Sequence, residues 1–305
     1  KPSDKPEYRP FLLDKSSSTQ PTELSLIYYI DGTCFNYDIK VSSECIEEEE
    51  LKLVQSRSSR IFYRYHNKEL DKVVINYGGA CDLSKSDQHD LEVNTLANAS
   101  VLSTFGALNL ESQILSKNFD YFENHISMIH RSDKSLADKL QTGDPEKDIA
   151  LKKLLLRLLN DVGTNICDYV IEEASLNISE LIANGAPDIV IKAMMEQYPS
   201  GVITHKNLRF IHSTKDGESG LDFDLESLGT KNIIRLLVVL YDVVVGEKST
   251  CIDEIEYGIH TKALAFILKM YLTIAENCQL IVATHDLSLL NADFLRRDAV
   301  RLFEK

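Results

Sequence analysis

After a Pro-, Ser- and Lys-rich opening over residues 1–22, which reads as loop, the chain alternates apolar and polar positions with a period of two. That alternation predicts strands at residues 24–30 and 35–41, joined by Asp31-Gly32, a dipeptide suited to a tight hairpin turn. A second hairpin is expected from residues 61–65 and 73–77 around Asn67-Lys68. Between the two, the acidic run at residues 47–50 is expected to form a solvated face or edge. Apolar residues at helical spacing follow over 91–106, 113–129, 147–159 and 178–198. Thr142-Gly143-Asp144-Pro145 interrupts them, with Asp144 as an N-cap and Pro145 at the first helical position.

From residue 208 the β character returns, with strands at 208–212 and 221–225 flanking a Lys215-Asp216-Gly217-Glu218 turn. Helix 230–245, strand 250–252, helix 261–275 and strand 280–283 then alternate, which argues for a parallel sheet covered by helices. The fold class expected is α/β, in three parts: a β-rich, antiparallel lobe over 1–100, a helical insertion over 101–200, and a parallel-sheet lobe over 201–305. Neither an internal repeat nor a long heptad array is present, so no long coiled-coil arm is expected.

A chain of 305 residues can bury a large core. Its net charge of −14 argues against a protein that coats nucleic acid without sequence preference, although a local basic groove stays open. Arg57, Arg60 and Arg64 beside Phe62, Tyr63 and Tyr65 could form a basic–aromatic patch, but alternating strand faces account for the same residues. Six cysteines without a C-x-x-C pair suit a reducing compartment and imply neither zinc nor a disulfide framework. No signal peptide pattern is visible, and the most apolar run, 233–245, is interrupted by Arg235 and Asp242 and falls short of a bilayer span. A cytoplasmic protein with no membrane partner is expected. The start at Lys1 without Met points to a segment of a longer product.

The chemistry concentrates after residue 220. Asp253-Glu254 follows a short apolar strand at its carboxyl end, where α/β sheets place ligands. Phosphoryl transfer to water needs one carboxylate to help hold Mg²⁺ and another to orient or deprotonate the water, so Asp253 is assigned to the metal and Glu254 to the base. His285 ends the next apolar strand, between Thr284 and Asp286, and its ring nitrogens suit a hydrogen bond to a γ-phosphate. Ser227-x-Gly229-Thr230 opens a long apolar helix whose free N–H groups attract phosphate; Gly229 permits close backbone approach and Lys231 adds positive charge. Taken singly, each has a plain structural reading: a solvated acidic turn, an incidental histidine, a capping serine. Their order, a Ser-x-Gly helix start, an Asp-Glu strand end and a His strand end, matches the signature motif, Walker B and switch histidine of an ABC-type nucleotide-binding machine. Gly246-Glu247-Lys248-Ser249-Thr250 imitates the tail of a phosphate loop but precedes a strand, and none of the thirteen glycines starts a usable G-x-x-x-x-G-K-[ST].

Glu226-Ser-Leu-Gly-Thr-Lys, Cys251-Ile-Asp-Glu-Ile-Glu, His260, Gln279-Leu-Ile-Val-Ala-Thr-His-Asp and the ending Leu295-Arg-Arg-Asp-Ala-Val-Arg-Leu-Phe-Glu-Lys resemble the AAA-family, ABC-type ATPases of bacterial abortive infection, the RloA-like group. The stretch Asn94-Thr-Leu-Ala-Asn-Ala-Ser-Val-Leu-Ser-Thr-Phe resembles the family's middle. The resemblance implies an ABC-ATPase-like head using ATP and Mg²⁺, its phosphate loop lying upstream of the stretch Pro10-Phe11-Leu12-Leu13-Asp14, and a homo-oligomer, at least a head-to-tail dimer, in which Ser227 and Gly229 meet the γ-phosphate held by the phosphate loop of the other head. It also implies an ATP-hydrolysing switch in anti-phage defence, a nucleic-acid or phage trigger, and a separate toxic effector such as a nuclease. A DNA-repair or chromosome-structure ATPase is the alternative within the superfamily. Outside it stand a metal-dependent nuclease using Asp253, Glu254, His285 and Asp286 as ligands, and a binding module that has lost ATP.

Overall fold

The computed structural model describes residues 5–303 apart from 7, 15, 128–135 and 184. The chain divides into two compact units between His125 and Ile126.

The first unit is built on a five-stranded antiparallel sheet in simple meander order: β1 (Thr22–Ile30), β2 (Thr33–Val41), β3 (Ile46–Val54), β4 (Ser58–Asn67) and β5 (Lys72–Tyr77). The β1–β2 hairpin turns on Asp31 at φ 49° and Gly32 at φ 75°, the doubly left-handed pair whose twist matches a two-residue hairpin. Asn67 turns the chain toward β5, its side-chain oxygen accepting from the N–H groups of Glu69 and Leu70 at 3.0 and 3.2 Å.

The acidic run is not an edge, and only part of it is a solvated face: Glu47, Glu48 and Glu50 are half-buried. It lies in β3, the central strand, and Glu49 is fully buried. Burial is tolerated because Glu49 accepts from the N–H of Val101 at 2.8 Å and from the Tyr37 hydroxyl at 2.8 Å, and stands opposite Arg64 in the β3–β4 register. Arg64 is buried too, while Arg60 donates to Glu50 at 2.7 Å, so the arginines of this strand do not form a basic surface patch.

Three helices complete this unit, α1 (Lys85–Asn94), α2 (Val101–Ala107) and α3 (Gln113–Asp120), followed by a π-helical turn over Tyr121–His125. Each helix starts on a serine cap, Ser84, Ser100 or Ser112, whose hydroxyl accepts a backbone N–H of the first turn. The single helix expected over 91–106 is thus broken by a new cap at Ser100. Leu91, Val101, Leu102 and Phe105 share one core with Phe35, Leu51 and Phe62, so residue 100 does not mark a boundary in the packing. Each such fully buried aliphatic or phenyl side chain contributes about 1.5–3 kcal/mol relative to exposure.

In the second unit, β6 (Ile126–Ser127) occupies part of the span expected as a helix to 129; positions 128 and 129 lie outside the described residues. Next come α4 (Leu136–Leu140) and α5 (Pro145–Asp161), the latter capped by Asp144, which accepts from Glu146 and Lys147 N–H. A three-stranded antiparallel sheet follows from β7 (Ile166–Asn177), β8 (Val202–Thr214) and β9 (Gly217–Asp222). The helix expected over 178–198 is two, α6 (Ile178–Ala183) and α7 (Asp188–Gln197), with Pro187 in extended backbone immediately before the second. The span 101–200 is therefore not one helical body, because it contains β7 and because its first helices belong to the other unit.

The expected alternation then appears: α8 (Leu228–Val245), β10 (Ser249–Ile252), α9 (Thr261–Ile274) and β11 (Gln279–Val282). β10 lies between β11 and β6, parallel to both. Ile234, Leu237 and Val243 of α8 and Leu264 and Ile267 of α9 are buried in one cluster that also holds Ile252, Leu280 and Val282. The fold is thus mixed α/β, with antiparallel sheets and a parallel sheet. Among the described residues no helix is long and apolar enough to cross a membrane.

Candidate functional site

Three segments of the second unit meet at the carboxyl ends of β10 and β11. Parallel strands at ordinary ladder spacing bring their ends within about 5 Å of each other, and here Ile252 pairs with Val282. The ladder continues into the loops: Ala283 N–H donates to Ile252 O at 2.9 Å and Ile255 N–H to Ala283 O at 3.3 Å. Asp253 and Glu254, beyond Ile252, are exposed. Glu254 adopts φ 50°, a left-handed conformation that costs energy for a residue with a Cβ, and Ile255, only 4% exposed, anchors the turn behind it.

On β11's side, His285 is exposed and its backbone N–H donates to Glu256 Oε1 at 2.7 Å. Burial works against ionising Glu256, but hydrogen bonds from the Thr284 hydroxyl and the His285 N–H outweigh it and hold the carboxyl below its ordinary range. Asp286 caps the turn that follows, accepting from Ser288 N–H at 3.0 Å, and also accepts from the Thr261 hydroxyl at 2.8 Å at the start of α9. Its carboxyl is lowered by the side-chain bonds from Ser288 and Thr261.

The helix α8 supplies the third segment. Ser227 caps it in extended backbone, φ −61° and ψ 150°, and its Oγ accepts from Thr230 N–H at 3.1 Å while pairing with the Thr230 hydroxyl at 2.8 Å. Lys231 is folded back, with Nζ donating to Asp224 O at 2.7 Å. Gly229 faces the loop after Glu254: a Cβ placed on it would lie 2.9 Å from Gly258 O. Gly258 itself has φ 70°, and Asn232 of α8 donates to Tyr257 O at 2.7 Å. The start of α8 is therefore held against loop 257–258, which leaves the acidic turn, by the Asn232 bond and the close approach at Gly229, and that loop is joined through Glu256 to His285. A cavity of about 160 Å³ lies where α8 faces that turn, lined among others by Leu228, Asn232, Asp253, Glu254 and Tyr257.

Glu256 is the participant that spacing alone does not single out. Its signal is the third acid of Asp253-Glu254-Ile255-Glu256, set two residues after Glu254 so that one carboxylate stays out while the other turns in toward the neighbouring strand end.

The chain belongs to the family described as AAA domain, putative AbiEii toxin, Type IV TA system, whose model matches residues 5–291. Solved structures similar to the chain include the SMC head bound to the C-winged helix domain of ScpA, at 10% identity over 83% of this chain and 71% of that one, TM-score 0.34. Another is the recombination mediator protein RecF-ATPrS in the RecFOR pathway, at 11% identity over 85% of this chain and 76% of that one, TM-score 0.27. No curated protein matches the chain.

Proposed function

We propose that the chain is the ATP-binding and ATP-hydrolysing switch of an anti-phage, abortive-infection system of the RloA-like group, working as a head-to-tail oligomer in the cytoplasm and controlling a toxic effector on a separate polypeptide. The observation that carries this reading is the convergence of three segments: the start of α8, where Gly229 closely approaches Gly258 O and Asn232 donates to Tyr257 O, the Asp253-Glu254 turn, and His285, whose N–H donates to Glu256. The family's description, with its toxin and type IV toxin–antitoxin terms, supports the link to a toxic partner.

The residues fit ATP and Mg²⁺. Mg²⁺ typically keeps several waters and takes one or two carboxylates plus phosphate oxygens, and Asp253 is an exposed carboxylate at a parallel strand end. Among the described residues no cluster of three or more His, Cys, Asp or Glu side chains is placed to hold a metal by itself, so the remaining ligands would be phosphate and water. Bound there, the ion would neutralise negative charge on the phosphate oxygens. Glu254, exposed at the same strand end, accepts the proton of the attacking water at its carboxylate. His285 donates from its ring to the γ-phosphate. Ser227 and the free N–H groups of α8 contact phosphate presented by a second copy.

Replacing Glu254 with Gln in the full-length protein should abolish phosphate release while ATP binding, followed by calorimetry, is retained. Undiminished hydrolysis by that variant would overturn the assignment.

A further inference from the structure

Glu226 precedes the capping Ser227 and has its carboxylate turned inward, with a side chain only 4% exposed. Its partner is His212 of β8, whose Nε2 lies 2.6 Å from Glu226 Oε1. The opposite ring nitrogen, Nδ1, lies 2.8 Å from Asn165 Oδ1. The orientation of the Asn165 amide is set by its own Nδ2, which donates to Ser213 O at 3.1 Å, so the oxygen is the atom that faces the imidazole. The ring therefore donates at Nδ1, and Nε2 is left as the ring atom that hydrogen-bonds the buried Glu226 side chain. Two residues earlier on the same face of β8, Phe210 packs against Phe223 with ring centroids 6.0 Å apart, and Phe223 O accepts the Glu226 N–H at 3.1 Å. The segment leading into α8 is thus registered on β8 at two points, one apolar and one polar, and the polar one adjoins the serine that starts the helix.

We propose that His212 is a positioning residue for the Ser227–Gly229 turn: through Glu226 it holds that turn where it meets nucleotide. The inference rests on the nucleotide-binding reading given above. His212 touches neither phosphate nor Ser227 and acts only through its neighbour. Without the imidazole, Glu226 is a buried polar side chain short of its hydrogen-bond partner, and it relieves that cost by rotating toward solvent and carrying the 226–227 peptide with it.

The test is a double-mutant cycle on ATP turnover by the full-length protein, with His212→Ala, Ser227→Ala and the pair. The expected result is a kcat loss of about tenfold or more for each single variant, as small misplacements of a binding group produce, and no further loss in the pair. His212→Gln, whose amide Nε2 can still donate to Glu226, should recover most of the activity. Independent, multiplying losses, or a normal kcat for His212→Ala beside an impaired Ser227→Ala, would overturn the inference and leave the nucleotide-binding reading standing. An unimpaired Ser227→Ala overturns that reading at its root, and this inference with it. If His212→Ala fails to fold, Glu226→Gln takes its place in the cycle with the same expectations.

Discussion

The backbone N–H of His285 donates to the carboxylate of Glu256 at 2.7 Å, joining the loops that leave two adjacent parallel strands. A charged acceptor makes this bond stronger than a neutral one, and it places His285 relative to Glu254 without using either side chain.

Glu256 should give the second unit an acid-sensitive component. Its carboxyl is held below the ordinary value of 4.5 because the Thr284 and His285 hydrogen bonds outweigh the opposing effect of burial. A lowered folded-state value means the stabilisation is present above that ordinary value and disappears as pH falls through the folded one. Glu256→Gln should therefore melt at a lower temperature than wild type at neutral pH, with the difference shrinking on acidification below about pH 4.5. Thermal melts from pH 3 to 7 measure this; a constant offset across the series would remove Glu256 from the role.

The approach of loop 257–258 to α8 requires glycine on both sides. Gly258→Ala would force φ 70° on a residue with a Cβ, whose nearest neighbour is Asn232 Nδ2 at 3.0 Å. The expected cost is about 1–3 kcal/mol, read from denaturant unfolding. Gly229→Ala would meet the Gly258 carbonyl oxygen at 2.9 Å, so one of the two must shift. Turnover in Gly229→Ala should fall further than its melting temperature predicts, because the displaced loop carries Glu254. Equal fractional effects on stability and turnover would contradict this.

Local patterns announced much of this fold in advance. The Asp31-Gly32 hairpin, the Asp144-Pro145 helix start and the α8–β10–α9–β11 alternation fall where periodicity and caps put them, because each depends on residues within a few positions of one another. The same holds for the Ser227 cap and the placement of Asp253, Glu254 and His285 at element ends. What failed depends on distant partners. β3 carries three glutamates in a row after Glu47, and only the Val101 N–H, Tyr37 hydroxyl and Arg64 make Glu49 a core residue. β7 lies between helices and pairs with β8, which begins well downstream, so nothing near it in sequence declares a sheet. Glu256 and His285 are likewise joined across a helix.

In the first unit, Glu49 and Arg64 supply a prediction of opposite pH sign. Both are fully buried and face each other across β3 and β4. Arg64 donates to the carbonyl of Ile46 and to those of Leu96 and Ala97, at 3.2 and 2.9 Å for the latter two, tying the sheet to the segment between α1 and α2. Glu49 takes the first N–H of α2, where the helix dipole favours a negative charge. Burial nevertheless raises the Glu49 carboxyl, with the Val101 N–H, the Tyr37 hydroxyl and Arg64 opposing it only in part. Truncating Arg64 to Ala removes its hydrogen bonds to three carbonyls and leaves a buried carboxyl without the charge opposite it, a loss of about 3–5 kcal/mol. Glu49→Gln keeps an acceptor for the Val101 N–H and should cost less than Arg64→Ala. A raised folded-state value places the Glu49 contribution below its ordinary pKa and removes it as pH rises. Wild type should therefore lose ground to Glu49→Gln on going from acid to neutral pH, the reverse of the Glu256 series. Urea unfolding midpoints for the three proteins at pH 4 and pH 7 decide the matter: Arg64→Ala within about 1 kcal/mol of wild type would show that the pair does not hold sheet and helices together.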